Sequence, residues 1–87
     1  MDKKELRRMA NELPHQFNVG KAGVTDTLIE TIDKYLEAHK IVKIRSLTAE
    51  DKAMLREQSD LISQKTHSQI VDSKGFTFVL YRKWVEN

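Results

Sequence analysis

The apolar and polar residues of this 87-residue chain repeat with two different periods. In three segments the apolar residues recur three and four positions apart, the spacing that gives an amphipathic helix one buried face. Between and after these segments they alternate with polar residues or run together briefly, which is typical of strands. The segments follow one another in the order α-β-α-β-α-β-β.

The first helix is predicted over residues 2–13. Pro14 ends it, because the residue before a proline is disfavoured in helical geometry. A short strand is predicted over residues 16–19. The apolar face of the helix is formed by Leu6, Met9, Ala10 and Leu13.

The second helix is predicted over residues 25–39 and has the clearest apolar stripe in the chain. Thr25 is a suitable N-cap, and the carboxylate of Asp26 is placed to interact favourably with the helix dipole. A strand over residues 41–47 follows. The stripe of the helix consists of Leu28, Ile29, Ile32, Tyr35 and Leu36.

A third helix is predicted to begin near Thr48 and to run to Lys65. Thr48 with Asp51 three residues later resembles a capping box, although Glu or Gln is the usual partner. The residues expected in the core from this helix are Ala53, Met54, Leu61 and Ile62, with Leu55 at the margin.

The last part of the chain is predicted to form two strands joined by a turn. Residues 67–71 make a weak strand, and the composition of residues 72–75 favours a turn. Residues 76–81 are apolar on both faces, which indicates a strand that is central or covered on both sides.

Strands that alternate with helices favour parallel pairing through right-handed crossovers, and the final hairpin adds one antiparallel strand. The predicted fold class is therefore α/β in the broad sense, an α+β two-layer arrangement around a four-stranded mixed sheet. Residues 1–87 are too few for a second core of useful size, so we expect a single domain.

An apolar fraction of 39% and a charged fraction of 32% are typical of a compact, soluble protein rather than a disordered one. The chain has no cysteine, which excludes disulfides and thiol chemistry. It has no apolar run of membrane-spanning length, and its first residues lack the apolar core of a secretory signal. We therefore expect a cytoplasmic protein that does not engage a membrane.

The net charge is only +2, but the charges are segregated along the chain. Residues 40–45 carry Lys40, Lys43 and Arg45 without an acid, whereas residues 25–39 carry four acids and one lysine. This distribution predicts a basic face opposite acidic helix faces, although an ordinary solvated surface can give the same pattern.

Residues 20–23, with the sequence Gly-Lys-Ala-Gly, separate the first predicted strand from the second helix. We call them the glycine loop. Glycines let the backbone turn sharply, and a turn that runs into a helix start leaves several amides without partners. The positive end of the helix dipole and the charge of Lys21 would attract an anion such as a phosphate.

Other site chemistry finds little support in the sequence. The three histidines are dispersed, and no metal-binding spacing, nucleophile-base arrangement or longer nucleotide-binding loop is present. We therefore predict no catalytic residues, no metal and no cofactor. Trp84 is interpreted as a residue that covers an edge of the core. The other aromatic residues are interpreted as core residues rather than base-stacking groups, namely Phe17, Phe76, Phe78 and Tyr81.

The chain resembles the CRM domain, the chloroplast RNA splicing and ribosome maturation module. The resemblance is carried by residues 17–25, 28–39 and 41–44, and by residues 78–82 at the far end. It implies a fold similar to the C-terminal domain of translation initiation factor three with an added N-terminal helix. It also implies RNA binding through the GxxG loop. Ala22 departs from the polar or basic residue that many members carry.

The residues and the resemblance together predict a protein that grips the phosphate backbone of structured RNA. Ribosomal RNA or a large-subunit precursor is the expected partner, with no small-molecule substrate and a monomeric chain. The alternative is a protein–protein interaction module without direct RNA contact. The candidate RNA-binding residues are Gly20, Lys21, Ala22, Gly23, Thr25, Lys4, Arg7, Arg8, Lys43 and Arg45.

Overall fold

A computed structural model describes residues 2–83, so the prediction for Trp84 lies outside the described residues. The elements occur in the predicted order, which is thereby confirmed. They are α1 Lys3–Glu12, β1 Phe17–Val19, α2 Asp26–His39, β2 Ile41–Ser46, α3 Lys52–Lys65, β3 Gln69–Lys74 and β4 Thr77–Tyr81.

The four strands form one mixed sheet in the order β1-β2-β4-β3. β1 and β2 are parallel, whereas β4 is antiparallel to both of its neighbours, β2 and β3. β4 is therefore central, as its continuous apolar sequence predicted. Phe78, Val79 and Leu80 are all buried, because consecutive side chains point to opposite faces and both faces are covered.

The two faces of the sheet carry separate apolar clusters. The larger one joins the sheet to α2 and α3 and includes Ile32, Ile44 and Phe78. On the other face, Leu6 and Ala10 of α1 pack with residues of β3 and β4. The sheet with α2 and α3 thus forms the predicted two-layer core, and the leading helix covers the opposite face.

Local hydrogen bonds explain where the helices begin. Asp2 and Thr25 cap α1 and α2, and the Thr25 hydroxyl oxygen accepts a bond from the Leu28 amide at 3.1 Å. The N-cap of α3 is Asp51, whose carboxylate accepts from the Met54 amide at 2.8 Å. The predicted start of α3 at Thr48 is therefore wrong, because the capping oxygen lies three residues later.

The predicted buried face of α3 is also partly wrong. Leu55 and Ile62 are buried, whereas Met54 and Leu61 are 38% and 40% exposed. The two pairs have the same seven-residue spacing, so periodicity alone could not distinguish them. Gln58 lies on the same buried side as Leu55 and Ile62, and its side-chain oxygen accepts a 2.6 Å bond from the Ser46 hydroxyl.

Two further boundaries differ from the prediction. Met9 of α1 is 41% exposed, at the edge of the face that Leu6 buries. β3 extends to Lys74, and the turn consists of residues 75 and 76 rather than residues 72–75. Ile70 packs on the α2–α3 side of the sheet and Val71 on the α1 side, and a register irregularity between Ile70 and Asp72 then places Asp72, rather than Val71, opposite Val79.

Candidate nucleic-acid interface

The glycine loop lies between the end of β1 and the start of α2, as the sequence predicted. The Gly23 amide donates to the Gly20 carbonyl at 2.9 Å, which closes a tight turn with Lys21 and Ala22 exposed at its tip. Gly23 has a φ of +72°, a conformation in which other residues are strained. The turn therefore depends on glycine at this position.

Gly20 differs from Gly23 in a way that bears on function. Its φ is outside the left-handed region, so the turn itself does not require glycine there. A Cβ built on Gly20 would meet no heavy atom within 4 Å, so internal packing does not require glycine either. The backbone at Gly20 instead borders open space, where a ligand can approach the main chain closely.

Several main-chain donors lie at this loop. Within residues 2–83 no acceptor is found for the amides of Lys21 and Ala22, and the first amides of α2 have no intrahelical acceptor. The exposed carboxylate of Asp26 lies in the first turn of α2 and opposes the attraction of the dipole and Lys21 for an anion. Strong anion binding therefore needs further positive charge nearby.

Arg45 supplies positive charge beside the glycine loop. Gly20 follows Val19, which pairs with Ser46, and Arg45 precedes Ser46 on β2. The Arg45 side chain is exposed. It lies on the sheet face that α1 partly covers, because alternate residues of a strand and their paired neighbours share a face.

Arg45 belongs to a polar row that crosses all four strands. It pairs with Asn18 of β1 on one side and with Thr77 of β4 on the other, and Thr77 pairs with Lys74 of β3. We call these four residues the cross-sheet row. Asn18, Arg45 and Lys74 are exposed, so the row extends the positive surface away from the glycine loop.

Lys43 is placed differently from Arg45. Its ammonium donates to the Ala10 and Leu13 carbonyls at 3.1 and 3.0 Å, at the C-terminal end of α1. A cation at this end of a helix satisfies free carbonyls and interacts favourably with the dipole. Lys43 is half-buried and fixes α1 to the sheet, so its charge is already used within the protein.

The three candidates on α1 do not lie on one side of the helix. The Arg7 guanidinium donates from Nε to the Val71 carbonyl at 3.2 Å, so this side chain lies against β3. Lys4 and Arg8 are exposed on the side opposite Leu6. The structure therefore places Thr25 directly after the glycine loop and Arg45 one strand away on the α1 face, and it leaves Lys4 and Arg8 on a separate, outward surface.

Phe76 is the clearest feature that the sequence interpretation missed. Phe78 is fully buried, and Phe17 and Tyr81 pack against the clusters as predicted. Phe76 is 39% exposed in the β3–β4 turn, so its assignment to the core is wrong. A Gly followed by one residue between two strands is a two-residue hairpin signal, which could have placed Phe76 in the turn.

Arg82, in the segment that resembles the family's closing strand, has a structural role. Its guanidinium donates to the Asp33 carboxylate at 2.5 Å and to the Asp33 and Thr66 carbonyls at 2.8 and 2.9 Å. These bonds connect the end of β4 with α2 and with the residue that follows α3. Arg82 therefore stabilises the packing of three elements.

The described residues offer no support for two other kinds of site. Across residues 2–83 no three His, Cys, Asp or Glu side chains lie close enough together to hold a metal ion. In the same part of the chain, every helix is too short or too polar to span a bilayer.

Comparison with known proteins gives the family. The model of the CRS1 / YhbY (CRM) domain matches residues 1–82, so the chain belongs to this family. The "Probable RNA-binding protein YqeI" of Bacillus subtilis is 37% identical over 87 residues, with 98% of this chain and 88% of the relative covered.

A solved structure confirms the fold. The solution structure of the hypothetical protein SAV1595 from Staphylococcus aureus, a suggested RNA-binding protein, superposes with a TM-score of 0.82. The two chains are 30% identical, and the match covers 98% of this chain and 88% of the other.

Proposed function

We propose that this chain is an RNA-binding protein that holds the phosphate backbone of structured RNA at the glycine loop. The observation that carries the proposal is Gly20, where neither the backbone conformation nor the packing requires glycine and open space remains. Family membership and the RNA-binding names of the relatives support the same function.

In the proposed contact, a phosphate approaches the main chain of Gly20 and accepts bonds from the free amides at the loop. Lys21 provides the nearby charge, and the Thr25 hydroxyl can donate its hydrogen while its oxygen caps α2. Ala22 at the tip permits close approach but adds no charge. The loop reads the RNA by its backbone, with little discrimination between bases.

Arg45 extends this contact on the α1 side of the sheet, and Lys4, Arg7 and Arg8 offer a secondary surface for a longer RNA, with Arg7 held against β3. We leave Lys43 out of the proposed contact, because its ammonium is bonded to the end of α1. The proposal covers residues 1–87 as a single, monomeric, non-catalytic domain in the cytoplasm. Ribosomal RNA during subunit assembly is the proposed partner.

Two substitutions at Gly20, one charged and one neutral, distinguish a phosphate-binding loop from a purely structural one. Gly20→Asp has room for its side chain but places a negative charge at the phosphate position, so RNA binding should be lost in a folded protein. Gly20→Asn, of nearly equal size and without charge, is the matched control and should retain more affinity. Equal binding by Gly20→Asp and the unmodified chain would refute the proposal.

Salt dependence tests the phosphate contact of Lys21 directly. Lys21→Ala should reduce the slope of log affinity against log salt by about 0.7–0.9, the value for one lost phosphate contact. Lys34→Ala is the matched control, because Lys34 is 74% exposed on α2 and pairs with Glu30. Both slope and affinity should be unchanged in the control. An unchanged slope for Lys21→Ala would remove this residue from the contact.

A second candidate function has one observation in its favour. Met54 and Leu61 are exposed along α3, beside the carboxylates of Glu57 and Asp60, in a groove that also reaches Val24. Neither carboxylate forms an ion pair within the described residues. An apolar stripe with free acids suits a basic segment of a partner protein. Binding to such a partner would survive RNase treatment and would be weakened by Leu61→Gln.

A further inference from the structure

We infer that Phe76 is a stacking platform for an unpaired nucleobase, beside the loop that holds the phosphate. This inference rests on the proposed RNA binding and adds a second kind of contact to it. The glycine loop contacts the backbone, whereas Phe76 would select RNA that contains an unstacked base.

The position of Phe76 in the hairpin turn is unusual for so large an apolar residue. Gly75, with a φ of +61°, and Phe76 form the two-residue turn that joins Lys74 to Thr77. Turn positions of this kind mostly carry small or polar residues. Phe78, two residues later, is fully buried, whereas Phe76 belongs to neither of the apolar clusters. Packing in the apolar core therefore does not explain an aromatic ring in the turn.

The ring is held in place by contacts on both its main chain and its side chain. The Phe76 carbonyl accepts a bond from the Ser46 amide at 2.8 Å. The ammonium of Lys52, at the start of α3, lies 4.6 Å from the ring centroid and donates to the Gly75 carbonyl. The ring is thus pre-organised next to a positive charge that a nearby phosphate can also use.

Phe76 and the glycine loop lie at the same end of the sheet, where β1 and β2 terminate. Ser46 at the end of β2 pairs with Val19 before the loop, and its amide bonds to Phe76 on the other side. The two sites are therefore separated by about two strand spacings, roughly 10 Å. β1 and β2 are parallel and both end here, at the edge where ligands of α/β sheets bind outside the carboxyl ends of strands.

A short extended segment of RNA can therefore contact both sites. One phosphate would lie at Gly20 and Lys21, and a neighbouring base would lie on Phe76 with Lys52 close to its phosphate. Sequence-specific and loop-directed RNA recognition commonly stacks splayed bases on aromatic side chains. Stacking on one ring tolerates every base, because each base has a π-face.

The experiment uses the full chain and two RNA probes of equal length, a mixed-sequence single strand and a blunt duplex. Fluorescence anisotropy gives the affinity of each variant over a range of salt concentrations. Phe76→Ala should weaken binding of the single strand about 5- to 150-fold, the effect of one lost base stack, and should leave the duplex unaffected. The salt slope should not change, because stacking releases no counterion.

Three further variants separate base stacking from a merely apolar contact and from a general effect of substitution at this edge. Phe76→Tyr keeps an aromatic face and should restore binding, whereas Phe76→Leu keeps apolar area and should not. Leu47→Ala is the matched control, since Leu47 is 60% exposed and follows Ser46 at the same edge. It should bind like the unmodified chain. Circular dichroism melts check that every variant is folded.

The outcomes distinguish this inference from the proposed function. If Phe76→Ala binds the single strand normally while Lys21→Ala is weakened, stacking is wrong and phosphate binding stands. If Phe76→Leu binds as well as Phe76→Tyr, the contact is merely apolar and the stacking inference is overturned. If the unmodified chain binds neither probe, the proposed function and this inference fail together.

Discussion

Replacing Arg82 with Ala is expected to destabilise the fold strongly, because one guanidinium connects three elements. Nη1 donates to the Asp33 carboxylate and to the Thr66 carbonyl, and Nη2 donates to the Asp33 carbonyl. The Arg82 side chain is only 22% exposed, whereas that of Asp33 is 47% exposed. The bonds to the two carbonyls should therefore contribute more than the ion pair.

The magnitude follows from these contacts. A partly exposed ion pair contributes about 0–1 kcal/mol, and each charge-assisted bond to a carbonyl about 1.5 kcal/mol, at the low end of its range. Arg82→Ala should thus lower the free energy of unfolding by about 3–4 kcal/mol. Domains of this size have a free energy of unfolding of roughly 4–13 kcal/mol. At ~4–8 °C per kcal/mol, Tm should fall by at least about 12 °C.

Urea unfolding and thermal melts followed by circular dichroism measure this loss. Asp33→Ala removes only the carboxylate partner and should cost less than about 1 kcal/mol. Arg82→Lys keeps the charge but cannot reach all three acceptors with one ammonium, so an intermediate loss is expected. RNA affinity of Arg82→Ala, measured well below its Tm, should match that of the unmodified chain.

Two results would refute this reasoning. Equal losses for Arg82→Ala and Asp33→Ala would show that the ion pair, rather than the carbonyl bonds, carries the stabilisation. A folded Arg82→Ala variant of normal stability with weakened RNA binding would make Arg82 a phosphate contact instead of a structural one.

Three other substitutions test separate contacts. Lys43→Met should lower the free energy of unfolding by about 1–3 kcal/mol, because the carbonyls at the end of α1 lose their cation. Hydrogen-exchange protection should fall more in α1 than in α2, and an equal fall in both helices would contradict this. Asp26→Asn should lower stability by about 0.3–1 kcal/mol yet strengthen RNA binding, because it removes a negative charge at the helix start; weaker binding in an anisotropy titration would count against the loop. Gln58→Ala should cost about 1–3 kcal/mol by calorimetry, because the Ser46 hydroxyl loses its buried acceptor, and no loss would mean that water replaces Gln58.

The order of elements, the glycine turn and the Thr25 cap were predictable because each depends on residues close together in the chain. Periodicity identifies a helix, and a proline or a capping hydroxyl fixes its ends within a turn or two. The glycine loop and the closing strand carried the resemblance to the CRM family. The match to the family model confirms this family.

The rotation of α3 required the tertiary structure. Two apolar pairs with equal spacing competed for burial, and the packing of α3 on the sheet, which buries Leu55 and Ile62 and bonds Gln58 to Ser46 of β2, decided between them. Phe76 was assigned to the core for a similar reason. Its exposure depends on where the β3–β4 turn falls, and strand register is set by pairing between distant residues.

Local backbone preferences and hydrophobic spacing were enough to establish which elements form and that a glycine turn lies between β1 and α2. Which charges remain available depends instead on how the elements pack. Packing bonds Lys43 to the end of α1 and Arg82 to α2, yet leaves Arg45 exposed beside the glycine loop. This difference arises because a side chain's partners come from elements that are distant in sequence and meet only when the sheet assembles.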